Sequence, residues 1–169
     1  MYGERFAHAV ASGDVLGAII AIHSGMVLTE RCPELGYRTP LVYAISHRQF
    51  EVVRVLVEMG AHKYKLDGLD WTLLHTVCLD QSLATVKVLI DAGVDVNLLD
   101  GEGNTPLHCA VYRQNYDITK FLLERGAYTN IVSHAGLTAH RMAILDGTSN
   151  IADLITQYEV ECLEGRCVV

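Results

Sequence analysis

Asp100-Gly101-Glu102-Gly103-Asn104-Thr105-Pro106-Leu107-His108-Cys109-Ala110 is the stretch whose reading decides the fold. Its first five residues are turn formers, two of them glycines free to take left-handed backbone. Thr105 followed by Pro106 reads as a helix start. The Thr hydroxyl can accept from a free N–H of the first turn, and Pro in the first helical position loses no bond that the helix would use. Outward from this stretch, Thr recurs at Thr39, Thr72 and Thr138, each 33 residues from the next, and Gly60, Gly93 and Gly126 keep the same period. The quoted stretch is therefore one copy of a repeated unit, and a period in this range turns the functional question from an active site to a surface.

Each unit continues from Thr into an apolar stretch, such as Thr39-Pro40-Leu41-Val42-Tyr43-Ala44 or Thr72-Leu73-Leu74-His75-Thr76-Val77. A short break leads to a second one: Glu51–Glu58, Ala84–Asp91 or Asp117–Glu124. Apolar residues here recur at three- and four-residue spacing around a single charge, the pattern of an amphipathic helix. Gly60, Gly93 and Gly126 are placed to end that helix in a left-handed residue. Residues 61–71, 94–104 and 127–137 are rich in turn formers, and a projecting hairpin is expected from them. Neither helix can bury its apolar side alone. Neighbouring units must stack, with Leu41, Leu74 and Leu107 in one row and Leu56, Leu89, Leu122 and Ile155 in another.

Half of the 169 residues are hydrophobic and 20% are charged, enough apolar material for a long interior. The formal net charge is −7 and the 13 Lys and Arg are scattered, which argues against DNA or RNA as a partner. No segment approaches the length of a membrane span, and Met1–Val10 lacks the pattern of a secretory signal, so an intracellular location, cytoplasmic or nuclear, is expected. The cysteines Cys32, Cys78, Cys109, Cys162 and Cys167 form an odd set without a CxxC pair, which fits neither a disulfide framework nor a zinc knuckle. Cys167 is third from the end and misses the prenylation pattern.

The pattern degrades at both ends, as capping units require. Extending the register back from Gly25 puts Glu4 at the Thr position. The first connecting loop, which contains Cys32-Pro33, then carries two extra residues. In the last unit His140 and Arg141 stand where Leu and His stood, and Glu159 occupies the place of the stop glycine.

The quoted stretch, together with Leu122-Leu123-Glu124-Arg125-Gly126-Ala127, closely resembles the ankyrin repeat. The resemblance implies an all-α repeat solenoid of helix-turn-helix units with projecting β-hairpin loops. It covers a single domain over 1–160, in units at about 4–38, 39–71, 72–104, 105–137 and 138–160, with a short tail from 161 to 169. Departures are Leu73 for Pro, Asp70 for the turn Gly, and Ala61-His62-Lys63-Tyr64 for the usual Ala-Asp-Val-Asn, which Val94-Asp95-Val96-Asn97 nearly keeps.

The resemblance also implies a non-catalytic module that holds another protein on its concave face, by occlusion or scaffolding, without a cofactor or metal. In that arrangement the tips bring forward Leu35, Arg38, Leu69, Trp71, Glu102, Asn104, His134 and Leu137. The first helices bring forward Tyr43, His47, Thr76, Asp80, Cys109, Tyr112, Arg113, Met142 and Asp146. Trp, Tyr and Arg are the types most enriched in binding hot spots, which singles out Trp71, Tyr112 and Arg113 as anchors. A monomer is expected, and its acidity suits a partner with a basic segment. In size and repeat number the chain resembles small ankyrin inhibitors of cyclin-dependent kinases and shortened decoys of the inhibitor-of-NF-kappaB type. Two other readings stay open: a thiol-dependent enzyme or redox switch using Cys109 and His108, and self-association through a poorly capped end. In the family the His of Thr-Pro-Leu-His resembles a structural residue that bonds within and between loops.

Overall fold

The computed structural model describes residues 2–28, 31–61, 72–80 and 82–166. Among them are ten α-helices: α1 (Tyr2–Ser12), α2 (Val15–His23), α3 (Pro40–Ser46), α4 (Phe50–Glu58), α5 (Leu73–Leu79), α6 (Leu83–Asp91), α7 (Pro106–Tyr112), α8 (Tyr116–Glu124), α9 (Ala139–Leu145) and α10 (Ser149–Leu163). From α3 onward the pairs keep the 33-residue register, so the Thr and Gly clock sets where helices begin and end. Thr39, Thr105 and Thr138 cap their helices by accepting from the amides of Val42, His108 and Arg141. Thr72 makes no such bond, and its hydroxyl lies 2.7 Å from His75 Nδ1 instead. Gly60, Gly93 and Gly126 all have positive φ, the conformation in which a helix can close without a steric cost.

No strand forms among the described residues. Where hairpins are expected, residues 100–104 and 133–137 make closed turns instead. The amide of Asp100 donates to the carbonyl of Asn104, and that of Ser133 to Leu137, at 3.0 and 2.9 Å. The two turns lie side by side, joined by the His134 amide donating to the Glu102 carbonyl at 2.9 Å. Within each turn a second bond runs back, from the Gly103 amide to the Asp100 carbonyl at 3.1 Å and from the Gly136 amide to the Ser133 carbonyl at 2.9 Å, and these short closures pair too few residues for a ladder.

The chain divides into two compact units, Met1–Tyr64 with Asp91–Val94, and Lys65–Ile90 with Asp95–Val169. In the first, α1 packs on α2 and α3 on α4 around Phe6, Val10, Ile22, Leu41, Val52, Val53 and Leu56. The two-residue insertion is accommodated by a 3-10 turn, Pro33–Leu35, packed on α1. That turn carries Leu35 into the core at 0% exposure, so Leu35 is not the exposed tip residue that the register suggests. In the second unit α7 packs against α5, α8 and α9, and α10 against α8 and α9. Leu74, Leu89, Leu107, Leu122 and Ile155 are all buried. Because Glu159 replaces the stop glycine, α10 continues to Leu163, past the boundary expected at 160. Cys162 on that extension is disulfide-bonded, and Cys78 and Cys109 are buried thiols outside any disulfide.

Candidate functional site

The second unit holds a cavity of 360 Å³ lined by the ends of first helices and by the two closed turns. Leu79 and Tyr112 are the last residues of α5 and α7 and stand 33 apart, as do Cys109 of α7 and Met142 of α9. The turns contribute Asp100, Glu102 and Asn104 from one side and Ser133 and Ala135 from the other. Asp100 and Ser133 share a register position, and so do Glu102 and Ala135. Space is left where the second turn carries the smaller residue of each pair.

Asp100 organises its turn from within. Its Oδ1 accepts from the amides of Glu102 and Asn104 at 2.9 and 2.8 Å, and its Oδ2 from Asn104 Nδ2 at 3.1 Å. The equivalent Ser133 has a shorter side chain, and its buried Oγ makes no hydrogen bond. Gly103 closes the first turn with φ +72°, and a Cβ there would stand 3.0 Å from the His134 ring. Gly103→Ala therefore combines left-handed strain with a contact that His134 must relieve by moving. The loss should be about 1 kcal/mol, read as a lower urea midpoint.

Beneath the turns lie His75 and His108, 0% and 1% exposed. Each donates from Nε2 to a carbonyl of the following turn, Asn104 at 2.9 Å and Leu137 at 3.2 Å, because a carbonyl can only accept. Nδ1 is thereby the acceptor, bonded by the Thr72 hydroxyl in one case and by the Thr105 hydroxyl and amide in the other. Burial lowers the pKa of both imidazoles and keeps them neutral, against weaker raising contributions from these bonds and from Asp100. The histidines thus tie each unit to the next turn, the structural role that the resemblance implies.

This arrangement gives the Cys109–His108 pair no chemistry. Burial first, then the charges of Asp100 and Glu102, push the Cys109 thiol up to about 12, so no thiolate is available at neutral pH. Burial likewise raises Cys78. Both nitrogens of His108 are already engaged. Among the described residues no three His, Cys, Asp or Glu side chains gather as metal ligands would. No helix among them is long and apolar enough to cross a membrane.

Of the residues singled out from the sequence, the cavity brings together Glu102, Asn104, Cys109, Tyr112 and Met142. Tyr112 is 64% exposed, and Arg113 follows it as the exposed C-cap of α7. His134 is exposed beside Gly103, and Leu137 is half-buried with its carbonyl taken by His108. Asp80 and Asp146 are exposed C-caps of α5 and α9, and Thr76 is half-buried with its hydroxyl directed at the Thr72 carbonyl. In the first unit Tyr43 and His47 stack at 4.2 Å, and Arg38 Nη1 donates to Ser46 Oγ at 3.4 Å. Leu69 and Trp71 lie outside the described residues. The sequence reading missed Leu79, Asp100, Ser133 and Ala135, although the change from Asp to Ser and from Glu to Ala at equivalent positions was there to see.

A family model for ankyrin repeats in three copies matches residues 63–133, and a model for a single ankyrin repeat matches residues 36–65. No curated protein matches the chain.

Proposed function

Because the chain belongs to the ankyrin-repeat family, a family of protein-interaction modules, we propose that it acts by holding a protein partner on the surface formed by its first helices and turns. The observation that carries this reading is the exposed Tyr112 on the wall of a cavity also bounded by Glu102, Asn104 and Met142, with the exposed Arg113 following it in the chain. Aromatic rings and guanidinium groups are the types from which hot spots are built, since each covers much surface at little rotamer cost or makes planar charged bonds. Thr76, Asp80, His134, Leu137 and Asp146 extend this surface within the second unit, and within the first unit, taken by itself, Arg38, Tyr43 and His47 are the candidates for contact with a partner. The module works as a monomer, by occlusion or by scaffolding, on a partner inside the cell.

Affinity capture followed by cross-linking mass spectrometry tests the assignment. Tyr112→Ala and Arg113→Ala should each weaken retention of the partner about tenfold or more, with cross-links falling on the turns and first helices. Retention that both variants leave unchanged would remove the basis of the reading. The net charge of −7 favours a basic partner and a steered encounter, so the association rate should fall as salt is added.

A further inference from the structure

The cavity of the second unit allows the partner-holding reading, on which this inference rests, to be carried to a single side chain. Its volume of 360 Å³ is near the lower end of ligand pockets, room for one long side chain rather than for a cofactor. Leu79, Tyr112 and Met142 supply apolar wall, and the two charged residues lining it, Asp100 and Glu102, are both acidic. Both oxygens of Asp100 are already bonded within their own turn. Glu102 is different. It is exposed at the rim, and among the described residues its carboxylate is met by one long bond, 3.4 Å, from Asn104 Nδ2 to Oε2. Ser133 Oγ is buried without any partner in a residue 5% exposed on the same lining.

An occupant that answers all three features needs an apolar stem, a positive charge, and more than one N–H to donate. A neutral apolar side chain would leave Glu102 and Ser133 as they are. An ammonium would meet the charge as a single point. The guanidinium is planar, stacks on an aromatic face such as that of Tyr112, and donates in several directions at once. The raised Cys109 thiol places the field of both carboxylates on this wall, since Asp100 and Glu102 add to the effect of burial there.

We infer that the cavity is a receptor for an arginine side chain of the partner's basic segment. The stem lies on Leu79, Tyr112 and Met142, the guanidinium pairs with Glu102, and Ser133 Oγ accepts one N–H after turning about χ1 from its buried position.

A random-peptide display library selected on the intact chain tests this. The selected peptides should carry an arginine beside apolar residues. Exchanging that arginine for citrulline, which keeps the shape and removes the charge, should weaken binding about tenfold, the worth of one charge-assisted bond. Glu102→Gln should weaken the arginine peptide by a similar factor and leave the citrulline peptide unaffected. Resonances of Tyr112 and Met142 should shift on titration with the arginine peptide. Peptides without arginine, a citrulline exchange without effect, an unaltered affinity in Glu102→Gln, shifts confined to other residues, or no selected peptide at all would each overturn the arginine receptor. The broader reading fails by a different result, unchanged partner capture in Tyr112→Ala and Arg113→Ala. If those variants lose capture while the library shows no arginine preference, the binding surface stands and the arginine receptor does not.

Discussion

Leu122→Ala should lower the stability of the chain by about 2–5 kcal/mol. Leu122 is 0% exposed on α8, which packs against both α7 and α10, so its removal opens a cavity between helices of consecutive units that rigid neighbours cannot fill. A domain of this kind has roughly 5–15 kcal/mol in total, so the variant forfeits a large share of it. The check is urea denaturation followed by circular dichroism. A lower midpoint with an unchanged slope is the expected outcome, because the surface exposed on unfolding stays the same. A midpoint that barely moves would mean that these helices do not share the core described.

His108→Leu should be nearly as damaging, at about 2–3 kcal/mol, although leucine is apolar and of similar size. The change leaves the buried Thr105 amide without its acceptor and takes from the Leu137 carbonyl one of its two donors, the Ser133 amide remaining, and an unsatisfied buried group costs more than the bond itself contributed. The same variant carries a pH signature. His108 and His75 have pKa values below the ordinary 6.5 in the folded chain because burial disfavours their charged forms. As pH falls below about 6.5 the unfolded chain takes up these protons first, so it binds more protons than the native state. Their contribution to stability is therefore complete above the unfolded value and is lost as pH falls toward the depressed folded values. Stability measured from pH 7.5 to about 5 should decline in the unaltered chain and less steeply in His108→Leu. Carboxylates common to both proteins cancel in that comparison. Equal slopes would show that His108 is not held neutral by the fold.

The framework was legible in the sequence because it is local. A Thr hydroxyl reaches an amide three residues on, Pro106 suits a first turn, and Gly126 takes the left-handed conformation that ends a helix. Each acts within a few residues, and the 33-residue period repeats the same signals in the same order. The resemblance added the role of His75 and His108, whose partners at Asn104 and Leu137 lie 29 residues away. The register alone failed at Leu35, where two inserted residues make a turn that points a presumed tip residue into the core. It failed again in the last unit, where the missing glycine lets α10 run on to Leu163.

By itself, then, the sequence determined the helix pairs, most of their boundaries and which leucines are buried, since these follow from periodicity and from bonds between near neighbours. Only the tertiary structure decided which side chains share a recess. Leu79, Glu102, Tyr112, Ser133 and Met142 come from five different segments, and their meeting depends on how α5, α7 and α9 pack and on two turns lying side by side. Period positions say that Asp100 and Ser133 are equivalent. The folded chain alone shows that the shorter hydroxyl is left unpaired, on the wall of a cavity whose charged residues, among those described, are Asp100 and Glu102.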